Sequence, residues 1–65
     1  MNVEFIGGPL DGETRSYIMH LWPPARIMVR REAEDGRVVV HTYRYAGGKT
    51  MTVVAYEFER AEEGE

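Results

Sequence analysis

Sixty-five residues, 43% of them hydrophobic, make one small domain, and the lack of cysteine excludes disulfide staples, thiolate catalysis and cysteine-ligated metals. The net charge is −3, and no apolar run approaches the roughly 20 residues of a membrane span. Glu4 breaks the first apolar stretch and no basic segment precedes it, so neither a signal peptide nor a membrane partner is expected.

The first strand is expected over Asn2 to Ile6, where apolar and polar residues alternate. Gly7-Gly8-Pro9-Leu10-Asp11-Gly12 follows. Glycine reaches positive φ freely and proline presets φ near −65°, so this hexapeptide reads as a structural turn. Asp11 fits it by accepting bonds from amides two residues on. Strand two is expected from Thr14 to Met19, ending before Pro23-Pro24, which cannot continue a ladder. Strand three runs from Arg26 to Arg31, with Ile27 and Val29 facing in and Met28 and Arg30 facing out. Glu34-Asp35-Gly36-Arg37 predicts a hairpin with a primed turn. Strand four is expected from Val38 to Tyr45, Gly47-Gly48 as the next turn, and strand five from Thr50 to Arg60. Residues 1–60 then form a single β domain, and 61–65 an acidic, flexible, partly helix-like tail.

This pattern predicts an all-β fold: a five-stranded antiparallel meander, strongly bent or closed into a small open SH3-like barrel. Strand five is long enough to bend and reach strand one. Strand four carries Val38 and Val40 on one side and Val39, Tyr43 and Tyr45 on the other. Strand five is two-faced as well. A chain this short cannot cover both faces easily, which points to a homo-oligomer or a complex with a protein partner. Long arginine stems are the competing cover for the second face.

Charge is unevenly spread. Residues 14–55 carry seven bases against three acids, and residues 56–65 carry five acids against Arg60. The two regions suit one another within a monomer or across a dimer.

The chemistry-bearing residues are sparse. His20 and His41 are the only imidazoles, and neither has a flanking acid or a metal-ligand spacing. Asp11 and Glu13 lie in and beside the turn, where backbone bonding explains them without acid–base work. No catalytic residues, metal ligands or cofactor are assigned, and an enzyme is not expected. Trp22, Tyr43, Tyr45 and Met51 are the candidate protein contacts. Arg26, Arg30 and Arg44, interleaved with tyrosines, suggest a second class, a single-stranded nucleic-acid binder. A third is a nucleotide or small-molecule trap at an oligomer interface, with amides near Gly7-Gly8 and Arg15 or Arg26 holding phosphate.

The short strand ending Phe5-Ile6, followed by Gly7-Gly8-Pro9-x-Asp11-Gly12, resembles a family of small uncharacterised proteins of actinobacterial phages and prophages. Tyr43-Arg44-Tyr45 and Tyr56-x-Phe58 are similar to that family's later half. The resemblance brings no activity or ligand. It implies a phage or prophage origin and a life in the host cytoplasm, and the two-faced strands, the open sheet edges and the lack of a catalytic constellation add the expectation of a non-enzymatic, self-associating module that binds a host or phage factor.

Overall fold

The computed structural model describes residues 1–17 and 23–64. It contains five strands: β1 (Asn2–Ile6), β2 (Thr14–Ser16), β3 (Arg26–Glu32), β4 (Val38–Gly48) and β5 (Val53–Gly64). One 3-10 turn, Gly8–Leu10, lies between β1 and β2. The strands form one sheet in the order β2-β1-β5-β4-β3, curled into a half-barrel. The all-β expectation holds. The meander needs one amendment: β5 returns to β1 in parallel, with Asn2 opposite Val53 and Ile6 opposite Glu57. The remaining neighbours are antiparallel. β2 and β3 therefore lie at opposite edges of the sheet.

Several local features differ from the sequence reading. β5 runs on to Gly64, pairing Ala61 with His41 and Gly64 with Val38, so residues 61–64 are strand and not tail. The β3–β4 hairpin is not a primed turn. Gly36 has φ +84°, but among the described residues no non-glycine residue has positive φ, so Glu34 and Asp35 cannot supply the primed geometry. Gly36 N–H donates to Ala33 O and Ala33 N–H to Arg37 O, the bonding of a three-residue loop with a glycine bulge. Gly47 and Gly48 stay within β4. The turn falls on Lys49 to Thr52, where Lys49 N–H and Thr50 N–H both donate to Val53 O.

Strand alternation puts one apolar stripe on the concave face. Val3, Phe5, Leu10, Tyr43, Val54 and Tyr56 form the buried cluster, and Tyr17, Ile27, Val29 and Phe58 pack against it. Fully burying a side chain such as Val, Leu or Phe contributes about 1.5–3 kcal/mol. Aromatic rings connect the strands edge to face. Phe5 and Tyr43 lie 4.8 Å apart between centroids, Tyr43 and Phe58 5.5 Å, and Tyr45 and Tyr56 5.6 Å. Arg15 of β2 sits 5.9 Å from the Phe5 ring centroid and covers that end of the stripe.

β4 and β5 are much longer than β1, so the sheet has a projecting arm. The molecule measures 40 × 22 × 17 Å with a radius of gyration of 12.3 Å, above the roughly 10.7 Å of a compact 65-residue domain. Past Glu57, β1 no longer accompanies β5. The turn built on the hexapeptide lies against Phe58 there.

Candidate functional site

The hexapeptide is the most constrained local structure. Gly7 and Gly8 have φ of +79° and +63°. A Cβ on Gly8 would stand 2.5 Å from Phe58 Cδ1 and 2.8 Å from the Tyr43 hydroxyl, so only glycine fits. The Tyr43 hydroxyl donates to Gly7 O at 2.8 Å and accepts from Leu10 N–H at 3.0 Å. Asp11 reaches back rather than forward: its Oδ1 accepts from Gly7 N–H at 2.7 Å. The turn is thus clamped to β4 through one phenol, and it seats Leu10 in the core. The Gly7 amide is already engaged by a carboxylate, which leaves it unsuited to cradling phosphate.

That role removes Tyr43 from the candidate contacts. It is fully buried, with its polar end occupied by the turn. Tyr45, two pairs along β4, is 42% exposed, and Met51 at the β4–β5 turn is 98% exposed. Trp22 and His20 lie outside the described residues.

The arginines of the convex face are held by acids. Arg26 grips Glu59 with two bonds, Nε to Oε2 at 2.9 Å and an Nη to Oε1 at 3.0 Å. This bonding keeps the Glu59 carboxyl below the usual carboxylate range, and holds the Arg26 guanidinium even more firmly charged. Arg44 pairs with Glu57 at 3.5 Å. Arg30 shares the outer face of β3 with Arg26 and Met28 by alternation. Arg15, the other cation considered for phosphate, pairs with Glu13 at 3.3 Å. At the centre of this convex face Thr42 is only 3% exposed, so its neighbours cover it. Met28, beside it in register on β3, is 63% exposed.

On the concave side of the arm lies an open cleft of about 250 Å³, lined by Pro9, Arg31, Glu32, Ala33, Val39 and His41. Sequence reasoning noted His41 but missed Arg31. The signal was there, since Arg31, Val39 and His41 share one face in the β3–β4 register. His41 Nδ1 is buried without a hydrogen-bond partner, and its ring tilts 6.3 Å from Phe58. Among the described residues no group of three or more His, Asp or Glu is placed to hold a metal ion.

Tyr56 belongs to the core beneath Tyr45. Its hydroxyl donates to Pro24 O, tying the approach to β3 onto β5. Burial, reinforced by Tyr45, pushes the phenol above its ordinary value.

No curated protein and no solved structure matches this chain. A family model spans residues 1–60, nearly the whole length, and the protein belongs to that family, described as Domain of unknown function (DUF8847).

Proposed function

We propose that this chain is a non-enzymatic protein-interaction module that self-associates. The observation supporting it is the exposure of large apolar side chains. Met51 and Met28 stand far out from the surface, and Met1, Ile6 and Tyr45 are each exposed by more than a third. Methionine is flexible and polarizable, and it suits adaptable contact surfaces. A small sheet with one filled concave face has little left to shield such groups, so a second chain is the natural cover. Tyr45 and Met51 are the contact residues favoured for a protein partner. The convex arginines are paired with Glu57 and Glu59, and this supports a solvated ionic face over a nucleic-acid track. The resemblance carried by Gly7-Gly8-Pro9-x-Asp11-Gly12 supports a phage or prophage setting, with the module working in the host cytoplasm on a host or phage factor.

Light scattering tests the self-association. At micromolar concentration the mass should exceed the 7.5 kDa of one chain. A single 7.5 kDa species across the concentration range removes that part of the proposal.

A further inference from the structure

β3 is the outer strand on one side of the sheet, and its seven residues pair with β4 without a bulge. The opposite edge, β2, has only three residues. Short edges are protected by their length, whereas long ones need charges or a partner. The phase of β3 can be read from its two ends. Tyr45 N–H donates to Ala25 O, and Ala33 N–H donates to Arg37 O. Odd-numbered residues therefore aim their backbone groups at β4. By alternation Arg26, Met28, Arg30 and Glu32 present their N–H and C=O groups outward.

We infer that β3 pairs antiparallel with β3 of a second copy about a two-fold axis through Val29, joining two sheets into one of ten strands. This rests on the self-association proposed above and names its surface. Outward-facing residues must oppose outward-facing residues, so only registers that match even positions to even positions are open. Centring the pair on Met28 opposes Arg26 to Arg30 of the partner subunit. Centring it on Arg30 opposes that arginine to its own copy. Centring it on Val29 opposes Arg26 to Glu32 of the partner subunit, twice, and Met28 to Arg30 of the partner subunit. No like charges then stand directly opposite. Edge charges that repel most strands become complementary in this arrangement, which matches both ends of β3 at once.

Two loose features of the monomer are accounted for. Met28 is exposed because its neighbour across the edge is missing. Glu32, among the described residues, forms no ion pair, although it lies at the end of a strand rich in arginine. In the dimer each finds a partner. On the concave side the two Val29 side chains meet at the axis.

The chain has no cysteine, so one introduced thiol gives a clean readout. At the axis Val29 forms a non-hydrogen-bonded pair with Cα atoms about 4.5 Å apart, within the roughly 4.4–6.8 Å span of a disulfide. Val29→Cys should oxidise to a covalent dimer as the main product, whereas Ser16→Cys on the other edge should stay monomeric. Glu32→Lys should lower the native mass to that of one chain while leaving the circular dichroism of the fold unchanged. A native dimer whose Val29→Cys form stays monomeric, and which survives Glu32→Lys, overturns this pairing and leaves self-association through another surface. A native monomer overturns both.

Discussion

Replacing Tyr43 with phenylalanine removes one oxygen and leaves the ring stack with Phe5 and Phe58 in place. That oxygen serves the turn twice, accepting from Leu10 N–H and donating to Gly7 O. The Leu10 bond is buried, so its amide finds no water when the hydroxyl is gone. A buried donor left unpaired costs about 1–3 kcal/mol. The Gly7 carbonyl is only partly buried and can turn toward solvent, which adds little. The expected loss is about 2 kcal/mol, and at about 4–8 °C per kcal/mol for a domain of this size the melting temperature should fall by roughly 8–16 °C. Thermal unfolding followed by circular dichroism measures it. Tyr45→Phe is the control, because the Tyr45 ring is exposed and no hydrogen bond of its hydroxyl is seen in the described structure. It should stay within about 0.5 kcal/mol of the native chain. If Tyr43→Phe melts with the native protein, the hydroxyl does not clamp the turn and the account of the hexapeptide is wrong.

Gly8→Ala and Gly12→Ala separate strain from collision. Both residues have positive φ, but only Gly8 faces Phe58 and Tyr43 at clashing distance, so Gly8→Ala should prevent stable folding while Gly12→Ala costs about 1 kcal/mol. The Arg26–Glu59 pair sets a pH dependence. Hydrogen bonding to Arg26 lowers the folded-state pKa of Glu59, so its contribution is complete above the unfolded value of about 4.3 and is lost as pH falls through the folded value. Arg26→Gln should flatten that acid limb in a urea titration series, and an unchanged limb would show that the pair does not act in solution. Tyr56 behaves in the opposite sense. Burial raises its pKa, so its contribution holds below about 10 and fades as pH rises through the folded value. Tyr56→Phe should weaken that alkaline loss. With Arg26 and Arg44 bound to carboxylates, a labelled single-stranded oligonucleotide should show no binding even at about 50 mM salt. Salt-sensitive binding there would restore the nucleic-acid reading.

Alternation and turn residues made the strands legible, and they made legible which residues of β3 face in. Strand direction was not. Period two says which side chains share a face but nothing about polarity, so the parallel β1–β5 pair is invisible until tertiary packing is known. Turn chemistry was located better than it was typed. Asp35-Gly36 marked the hairpin, yet with positive φ only at Gly36 the chain adopts a longer loop with a bulge. Gly47-Gly48 misled because Gly47, at φ +110°, sits beside an irregularity in the β4–β5 ladder and not at its tip. The better signal was Thr50, whose hydroxyl accepts from Thr52 N–H. Glutamates at 62 and 63 suggested a frayed end, but cross-strand partners override that composition. Arg37 reaches Glu63 at 2.9 Å and Arg26 reaches Glu59. Tyr43 was grouped with Val39 and Tyr45 on one side of strand four and read as a contact residue, but it is buried, and a sequence does not say which of two apolar faces closes. Arg31 was passed over because no single residue marks a cleft built from three segments.

Amide hydrogen exchange along β3 tests most directly whether another chain completes this sheet. At high protein concentration Met28, Arg30 and Glu32 should be protected as well as Ile27, Val29 and Arg31, and dilution should release only the even-numbered set. Even-numbered amides that exchange freely at every concentration, beside odd-numbered ones that stay protected, would contradict the account.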